Sequence, residues 1–164
     1  MGHPKAVAAF LCLVAAVGCA SWQGFVTRTL RDPGMALETF PDLVWEEYDC
    51  EHQQRPFFVM EKSELVPKRL KPDTDFNHRM VYSMCPEQAT QVVTGTLSTR
   101  IRFRGAAIVR DEVADYEIRP GRWIVDAFVT VPEHADPGVY AYEIEFQSAD
   151  LRFDERMTFV VDEK

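Results

Sequence analysis

A stretch of alternating side chains in the middle of the chain constrains the fold more than any other feature. One set of positions is mainly apolar, namely Val93, Gly95, Leu97, Thr99, Ile101 and Phe103. The other set is polar, namely Thr94, Thr96, Ser98, Arg100, Arg102 and Arg104. A period of two places successive side chains on opposite faces, so this pattern predicts a β-strand with one buried and one wet face. The three arginines form a basic ridge, either a solvated face that discourages edge pairing or a site for an acidic ligand.

Similar patterns recur along the chain. Alternating or short apolar runs predict further strands over residues 43–48, 57–61, 76–84, 107–110, 123–131, 140–146 and 152–161. Turn signals such as Arg119-Pro120-Gly121-Arg122 separate these runs, and a short helix is predicted over 35–39. Many short strands between Gly, Pro and Asp signals predict an all-β fold, a single antiparallel β-sandwich of two sheets.

One C-terminal segment carries a more specific resemblance. The strand from Trp123 to Pro132, followed by Ala135-x-Pro137-Gly138-x-Tyr140-x-Tyr142, resembles the corner of immunoglobulin-like domains, where a tyrosine braces a loop. The resemblance implies an immunoglobulin-like sandwich and implies no activity. The usual buried tryptophan between two bridging cysteines is absent, so any disulfide would tie early strands or a loop.

The N-terminus consists of Lys5, an unbroken apolar run from Ala6 to Val17, and then Gly18-Cys19. A run of this length is too short for the roughly 20 residues of a membrane-spanning helix but suits a signal peptide. The residues Ala16-Val17-Gly18-Cys19 resemble the cleavage motif of bacterial lipoproteins. This resemblance implies that Cys19 becomes the first mature residue and carries a diacylglyceryl group, with a further acyl chain on its amino group. An ordinary secretory signal, cut near Ala20-Ser21, is the alternative.

The same resemblance suggests where the protein resides and how the chain is divided. Residues 20–21 lack the Asp that retains enteric lipoproteins at the inner membrane, so the outer membrane is the expected location, with the domain on its periplasmic or surface face. We expect a signal peptide over 1–18, a lipidated tether over 19–43 and a β-sandwich domain over 44–164.

The cysteines are consistent with export. Cys12 would leave with the signal peptide and Cys19 would be lipidated, which leaves Cys50 and Cys85 as a pair. In an oxidising periplasm such a pair most simply forms a disulfide. A Cys-x-x-Cys spacing, which would favour a redox role, is not present.

The charge balance and the motifs narrow the function classes. The chain has 18 basic and 26 acidic residues, and it lacks the basic surface that nucleic acid or anionic lipid would require. It also lacks the nucleophile-elbow, zinc-protease and phosphate-loop motifs of common enzymes. The carboxylates at 111–115 and 162–163 have no apolar neighbours in sequence to separate their pKa values. The sequence therefore predicts a protein that is not an enzyme and uses no cofactor.

One cluster of soft ligands provides an alternative. Imidazole and thioether groups select Cu(I), and His78-Arg79-Met80 resembles the His-x-Met step of small periplasmic copper chaperones. This alternative would use His52, Met60, His78 and Met80. The competing interpretation is a packed strand, because His78, Met80, Tyr82 and Met84 would share one face.

Together these features predict an outer-membrane lipoprotein whose sandwich is a non-catalytic binding or assembly module of the cell envelope. Its expected partners are the membrane, through the lipid, and another envelope protein or a polymer. Exposed aromatic residues would form the interface, and the candidates are Trp45, Phe57, Phe58 and Tyr116. An enzyme that acts on envelope polymers is a second alternative, which no motif supports.

Overall fold

Strands account for most of the chain. The structure is a computed structural model and describes residues 33–163. The strands are β1 (Gly34–Thr39), β2 (Phe57–Val66), β3 (Arg69–Leu70), β4 (Asp75–Cys85), β5 (Val93–Phe103), β6 (Ala106–Ile118), β7 (Gly121–Thr130), β8 (Gly138–Gln147) and β9 (Arg152–Val161). A helix, α1 (Pro41–Glu47), and a 3-10 turn (Cys50–His52) connect β1 to β2.

These strands form two sheets. Sheet 1 has the order β1-β7-β4-β2 and sheet 2 has the order β3-β9-β8-β5-β6. Neighbouring strands are antiparallel except for the short parallel pair β3–β9. The predicted all-β fold with two sheets is therefore confirmed. The alternating stretch that begins at Val93 is β5, and the last three predicted strands are β7, β8 and β9.

The core lies between the sheets, where the alternating rows of β4 and β8 meet. Phe76 of β4 is fully buried and packs edge-on against Tyr142 of β8, with ring centroids 5.4 Å apart. Phe159 of β9 joins them at 4.9 Å from Phe76. Each such ring contributes about 1.5–3 kcal/mol to stability through burial, so this cluster holds the two sheets together.

The corner before β8 has the predicted brace. The Tyr140 hydroxyl donates a hydrogen bond to the Asp136 carbonyl oxygen at 2.7 Å, while its ring is buried. Gly138 opens β8 with a φ of +149°, and a Cβ there would lie 2.9 Å from the Phe103 ring. Glycine is therefore needed at this position, both for its backbone angle and for the close approach.

The N-terminal part differs from the prediction. The expected helix over 35–39 is wrong, because this segment is β1 and pairs with β7. The expected strand over 43–48 is also wrong, because the residues form α1, where Pro41 at the first turn and Asp42 beside it favour a helix start. Residues 34–43, assigned above to the tether, thus belong to the fold.

Cys19 and the whole proposed signal peptide lie outside the described residues. The lipid attachment at Cys19 and the removal of residues 1–18 therefore remain predictions. Within residues 33–163, no helix is long and apolar enough to cross a membrane.

Candidate functional site: an aromatic cleft at one end of the sandwich

A cleft of about 420 Å³ opens where β2 and β9 begin. Its lining includes Arg55, Phe57, Phe58, Met60, Arg152 and Phe153. We refer to it as the aromatic cleft. The two strands belong to different sheets, so the cleft lies at an end of the interior rather than on a sheet face.

The floor of the cleft is a stack of aromatic rings. Phe58 of β2 and Phe153 of β9 are nearly parallel, with centroids 4.5 Å apart and an interplanar angle of 4°. Phe153 then stacks on the buried Phe146, and Phe58 stacks on the buried Tyr82. Since both rings rest on buried rings, the floor is a firm apolar surface that a ligand can contact.

A disulfide supports the first wall. Cys50 and Cys85 are bonded, as the cysteine count predicted, and both are buried. Cys85 is the register partner of Phe57, so the bond holds the segment between the 3-10 turn and β2 against the end of β4. Val44 of α1 packs on the two cysteines, and Trp45, Tyr48 and Phe57 surround them. This small second core fixes the wall that carries Phe57.

Arg55 extends this wall towards solvent. Its guanidinium carbon lies 5.2 Å from the Trp45 ring centroid, and Nη1 donates a hydrogen bond to the Glu87 carbonyl oxygen at 3.2 Å. A cation over an aromatic face contributes about 0.5–1 kcal/mol at an exposed site. Arg55 is thus oriented before any ligand arrives.

The second wall is the turn between β8 and β9. The Ser148 hydroxyl oxygen accepts hydrogen bonds from the N–H groups of Asp150 and Leu151, at 3.3 and 2.9 Å. The Ser148 N–H donates to the Leu151 carbonyl oxygen at 2.9 Å. Arg152 follows directly and pairs with Glu145 at 3.0 Å. Both walls are therefore preorganised, which lowers the entropic cost of binding.

The structure brings together part of the predicted aromatic set. Phe57 and Phe58 line the cleft, and Trp45 adjoins it through Arg55. Tyr116 does not, since it packs against Phe146 in the core, with centroids 6.4 Å apart. The sequence places Phe153 on one face of the predicted strand 152–161, with Met157, Phe159 and Val161, and predicts no binding role for it. Its place in the cleft depends on the packing of the two sheets, which brings its ring against Phe58.

The predicted copper set is not assembled as a whole. His52 is exposed at the 3-10 turn, and its Nδ1 lies 2.8 Å from Asp49, which raises the pKa of His52. His78 faces the interior, seven positions along β4 from Cys85, which is roughly 23 Å at the rise of a strand. Because Cys50 is bonded to Cys85, His52 lies at the other end of β4 from His78. Within residues 33–163 no group of three or more His, Cys, Asp or Glu side chains is placed to hold a metal ion.

The arginine ridge of β5 is paired with glutamates of β8. Arg100 lies 3.4 Å from Glu145, and Arg102 lies 3.6 Å from Glu143. Arg104 leaves the row and lies over the Phe103 ring, 4.7 Å from its centroid. These pairings favour the solvated-face interpretation over a site for an acidic ligand.

The fold and the cleft define an all-β, two-sheet sandwich with a preorganised aromatic cleft at one end. No protein-family model and no curated protein matches the sequence. Among solved structures, the sporulation control protein Spo0M from Bacillus subtilis is similar with a TM-score of 0.43 and 14% identity, covering 66% of this chain and 49% of that one. A family 123 glycoside hydrolase from Clostridium perfringens is similar with a TM-score of 0.39 and 15% identity, covering 57% of this chain and 22% of that one. This chain thus spans about half of the first protein and about a fifth of the second, and likenesses at this level carry no functional argument.

Proposed function

We propose that the protein is an outer-membrane lipoprotein that acts as a non-catalytic binding or assembly module of a bacterial cell envelope. Its lipid anchor is Cys19, and its partner is another envelope protein or a polymer that enters the aromatic cleft. The observation that carries the binding role is the cleft itself, with parallel rings at its floor and two braced walls.

The composition of the cleft fits contact with a macromolecule. Aromatic and arginine side chains are the groups that contribute most to interfaces when they lie in a well-packed pocket. Here Phe58 and Phe153 supply apolar area, while Arg55 and Arg152 supply donors at the rim. A partner segment with one apolar side chain flanked by polar groups would match this arrangement.

The distance from the anchor to the fold supports the tethered arrangement. The first described strand begins at Gly34, which is 34 − 19 = 15 residues after Cys19. A chain of this length spans at most roughly 50 Å. The sandwich can therefore be held close to the membrane that carries the lipid while the cleft meets an envelope partner.

The finer fold class is also a proposal, that of an immunoglobulin-like sandwich. It is supported by the hydrogen bond from Tyr140 to the Asp136 carbonyl and by the order β9-β8-β5-β6 facing β7-β4-β2. The disulfide departs from the immunoglobulin arrangement, since it joins the 3-10 turn to β4 rather than the two sheets.

Photocrosslinking in the bacterium that encodes the protein would test the role of the cleft. A crosslinking amino acid replaces Gln54 or Asp150 at the cleft, or Glu133 in a loop between β7 and β8 as the control. We expect one specific adduct from the two cleft positions and none from residue 133. Equal labelling at all three positions, or none at the cleft, would contradict the proposal.

A matched pair of charge reversals sharpens this test. Arg152 lines the cleft and Arg156 does not, although both lie on β9, both are about two-thirds exposed and both pair with a glutamate of β8. We expect Arg152→Glu to reduce the adduct several-fold and Arg156→Glu to leave it unchanged. Equal effects would assign the loss to general charge and not to the cleft.

The anchor is tested separately with Cys19→Ala. We expect the wild-type chain to partition into detergent with the mass of a lipidated protein that begins at Cys19, and the variant to stay in the aqueous phase. An unlipidated wild-type chain would overturn the anchor without touching the evidence for the cleft.

A further inference from the structure

The strands β1 and β6 are the outer strands of the two sheets on the side of the sandwich away from β2 and β9. Sheet 1 ends in β1 and sheet 2 ends in β6, while the other end of sheet 1, β2, packs against β9. Within residues 33–163, β6 pairs with β5 alone, so one side of this 13-residue strand presents unpaired N–H and C=O groups. We call the side between β1 and β6 the open side.

The interior is incompletely covered on the open side. Val113 of β6 is the register partner of Leu97 of β5, which packs on the core, and residues paired directly across a sheet point to the same face. Val113 therefore faces the interior, although it is 45% exposed. Leu37 of β1 lies two residues after Met35, which also packs on the core, and Leu37 is 38% exposed. A further strand beside β6 would cover this part of the interior.

The inward row of β6 has an apolar, acidic, apolar pattern. Val109 is paired with Ile101 and Asp111 is paired with Thr99, so both share the inward face with Val113. Asp111 is exposed at this face. A strand that covers the row should therefore carry two apolar side chains with a basic side chain between them, because neighbours on one face of a sheet contact each other.

The chain carries this pattern directly before β1. One set of alternating positions is Val26, Arg28 and Leu30, and the other is Thr27, Thr29 and Arg31. β-branched residues favour strands, and the first set has the charge that the row on β6 lacks. These residues lie outside the described part of the chain, and Gly34, the first residue of β1, is four residues after Leu30.

The position of β1 lets this segment reach β6. Gly34 is the register partner of Asp126, five residues after the start of β7, and Val113 is five residues before the end of β6. Because only two residues connect β6 to β7, Val113 and Asp126 lie at similar distances from that turn, one in each sheet. Packed sheets lie about 10 Å apart, and four residues reach roughly 13 Å. Leu30 can therefore lie beside Val113 while Gly34 pairs with Asp126.

The chain direction fits as well. β1 is antiparallel to β7, and β6 runs towards the turn from which β7 departs, so β1 and β6 run the same way. A segment that precedes β1 in this direction would lie parallel to β6. Pro33 and Gly34, with a φ of +140° at the glycine, provide a bend where the chain would cross from one sheet to the other.

We propose that residues 26–30 add a parallel strand to the free edge of β6, with Val26 beside Val109, Arg28 beside Asp111 and Leu30 beside Val113. The inference does not depend on the lipid anchor or on the function of the cleft. With the anchor proposed above, the free tether would shorten to residues 19–25, which span at most roughly 25 Å. The added strand would then hold the sandwich closer to the membrane.

Amide hydrogen exchange of the full chain, as the cell processes it, tests the added strand. We expect residues 26–30 to exchange about tenfold or more slowly than the same sequence in an unstructured peptide. Arg28→Asp and Asp111→Arg should each abolish most of this protection and also speed exchange within β6, because each places like charges side by side. Mass spectrometry of the two segments measures both effects.

A charge swap separates direct pairing from a general effect of charge. Arg28→Asp combined with Asp111→Arg restores opposite charges, so it should recover the protection of both segments. The matched control is Arg28→Asp combined with Asp154→Arg, which makes the same change at an exposed aspartate of β9 on the other side of the sandwich. It should recover nothing, and unchanged exchange in β4 would show that every variant keeps the fold.

Four outcomes would overturn the proposal. The first is a wild-type chain in which residues 26–30 exchange without protection, and the second is recovery by Asp154→Arg as complete as by Asp111→Arg. The third is protection that persists in all the variants, which would place the segment on another surface or in detergent. The fourth is protection that falls on dilution, which would show that a second copy of the chain supplies the strand.

Discussion

Arginines and glutamates pair on the outer faces of both sheets, but the exposure of the arginines to solvent differs between the two faces. On sheet 1 the pair Glu61–Arg122 lies beneath α1, and the Arg122 side chain is only 16% exposed. On sheet 2 the outer arginines of a ladder of pairs, Arg152 and Arg156, are open to water, with side chains 65% and 68% exposed. The residue types are the same, so the difference in exposure shows what the covering helix α1 contributes.

The covered group is a connected network. Glu61 Oε1 accepts hydrogen bonds from Tyr48 Oη at 2.9 Å, from Arg122 Nε at 2.7 Å and from Ser83 Oγ. Arg122 Nη2 also donates to Glu47 of α1 at 2.6 Å. Burial by itself would raise the pKa of Glu61, but these hydrogen bonds outweigh it and lower the pKa below its usual value. The network therefore joins α1 to β2, β4 and β7.

The open ladder is linked only through its two glutamates, each of which pairs with two arginines. Glu143 lies 3.6 Å from both Arg102 and Arg156, and Glu145 lies 3.4 Å from Arg100 and 3.0 Å from Arg152. Pairs of this kind contribute about 0–1 kcal/mol each, because water competes for both charges and salt screens them. We infer that the ladder serves solubility more than stability.

Removing the disulfide should have the largest effect on the difference between the two faces, because the bond holds α1 over the outer face of sheet 1. The bond links residues 35 positions apart, so the double variant Cys50→Ser and Cys85→Ser should lose about 4 kcal/mol of unfolding free energy in the chain-entropy model. Urea unfolding measures the loss, and wild-type protein with reductant is the control. A loss below about 1 kcal/mol would show that the second core holds without the bond.

His78 extends the comparison to a polar group in the interior. Its folded-state pKa of about 4 is below the ordinary value of 6.5, so the unfolded chain binds the extra proton between these values. The corresponding stability, about 3 kcal/mol, is present above pH 6.5 and is lost as the pH falls towards 4. We expect His78→Gln to flatten the curve of unfolding free energy against pH over this range.

The exposed His134 supplies a control for the substitution itself, because His134→Gln makes the same change of side chain at a surface position. An unchanged curve in His78→Gln would show that the loss of stability has another origin.

The sequence was informative where a local pattern sets the structure. The period of two from Val93 to Phe103 survives in β5 because one face meets the core along the whole strand. The brace at Tyr140 was expected from the resemblance of its segment to the corner of immunoglobulin-like domains, and the tyrosine and the carbonyl it bonds are only four residues apart. In both cases the signal lies within a short stretch of the chain.

The sequence failed where the partner lies far away. β6 runs to Ile118, well past the predicted 107–110, because its charged residues and the bulge near Asp115 interrupt the alternation while β5 still pairs with it. The stacking of Phe58 on Phe153, and the contact of Ser63 with Met157 across 94 residues, depend on which sheet edges meet. A single sequence holds no signal for that choice, so the cleft floor and the contact between Ser63 and Met157 could be found only in the fold.

The smallest effects should separate the covered and open arginines. Arg122→Gln leaves Glu61 and Glu47 without their cation beneath α1 and should cost about 2 kcal/mol. Arg156→Gln removes one rung of the open ladder and should cost less than about 0.5 kcal/mol. Urea unfolding at low and at 1 M salt measures both, and salt should abolish the small effect while most of the large one persists, because the covered pair is poorly screened. Equal costs for the two variants would mean that α1 does not shield Arg122. Measuring Arg122→Gln in the protein without the disulfide would then show whether α1 has any influence on the Glu61–Arg122 pair.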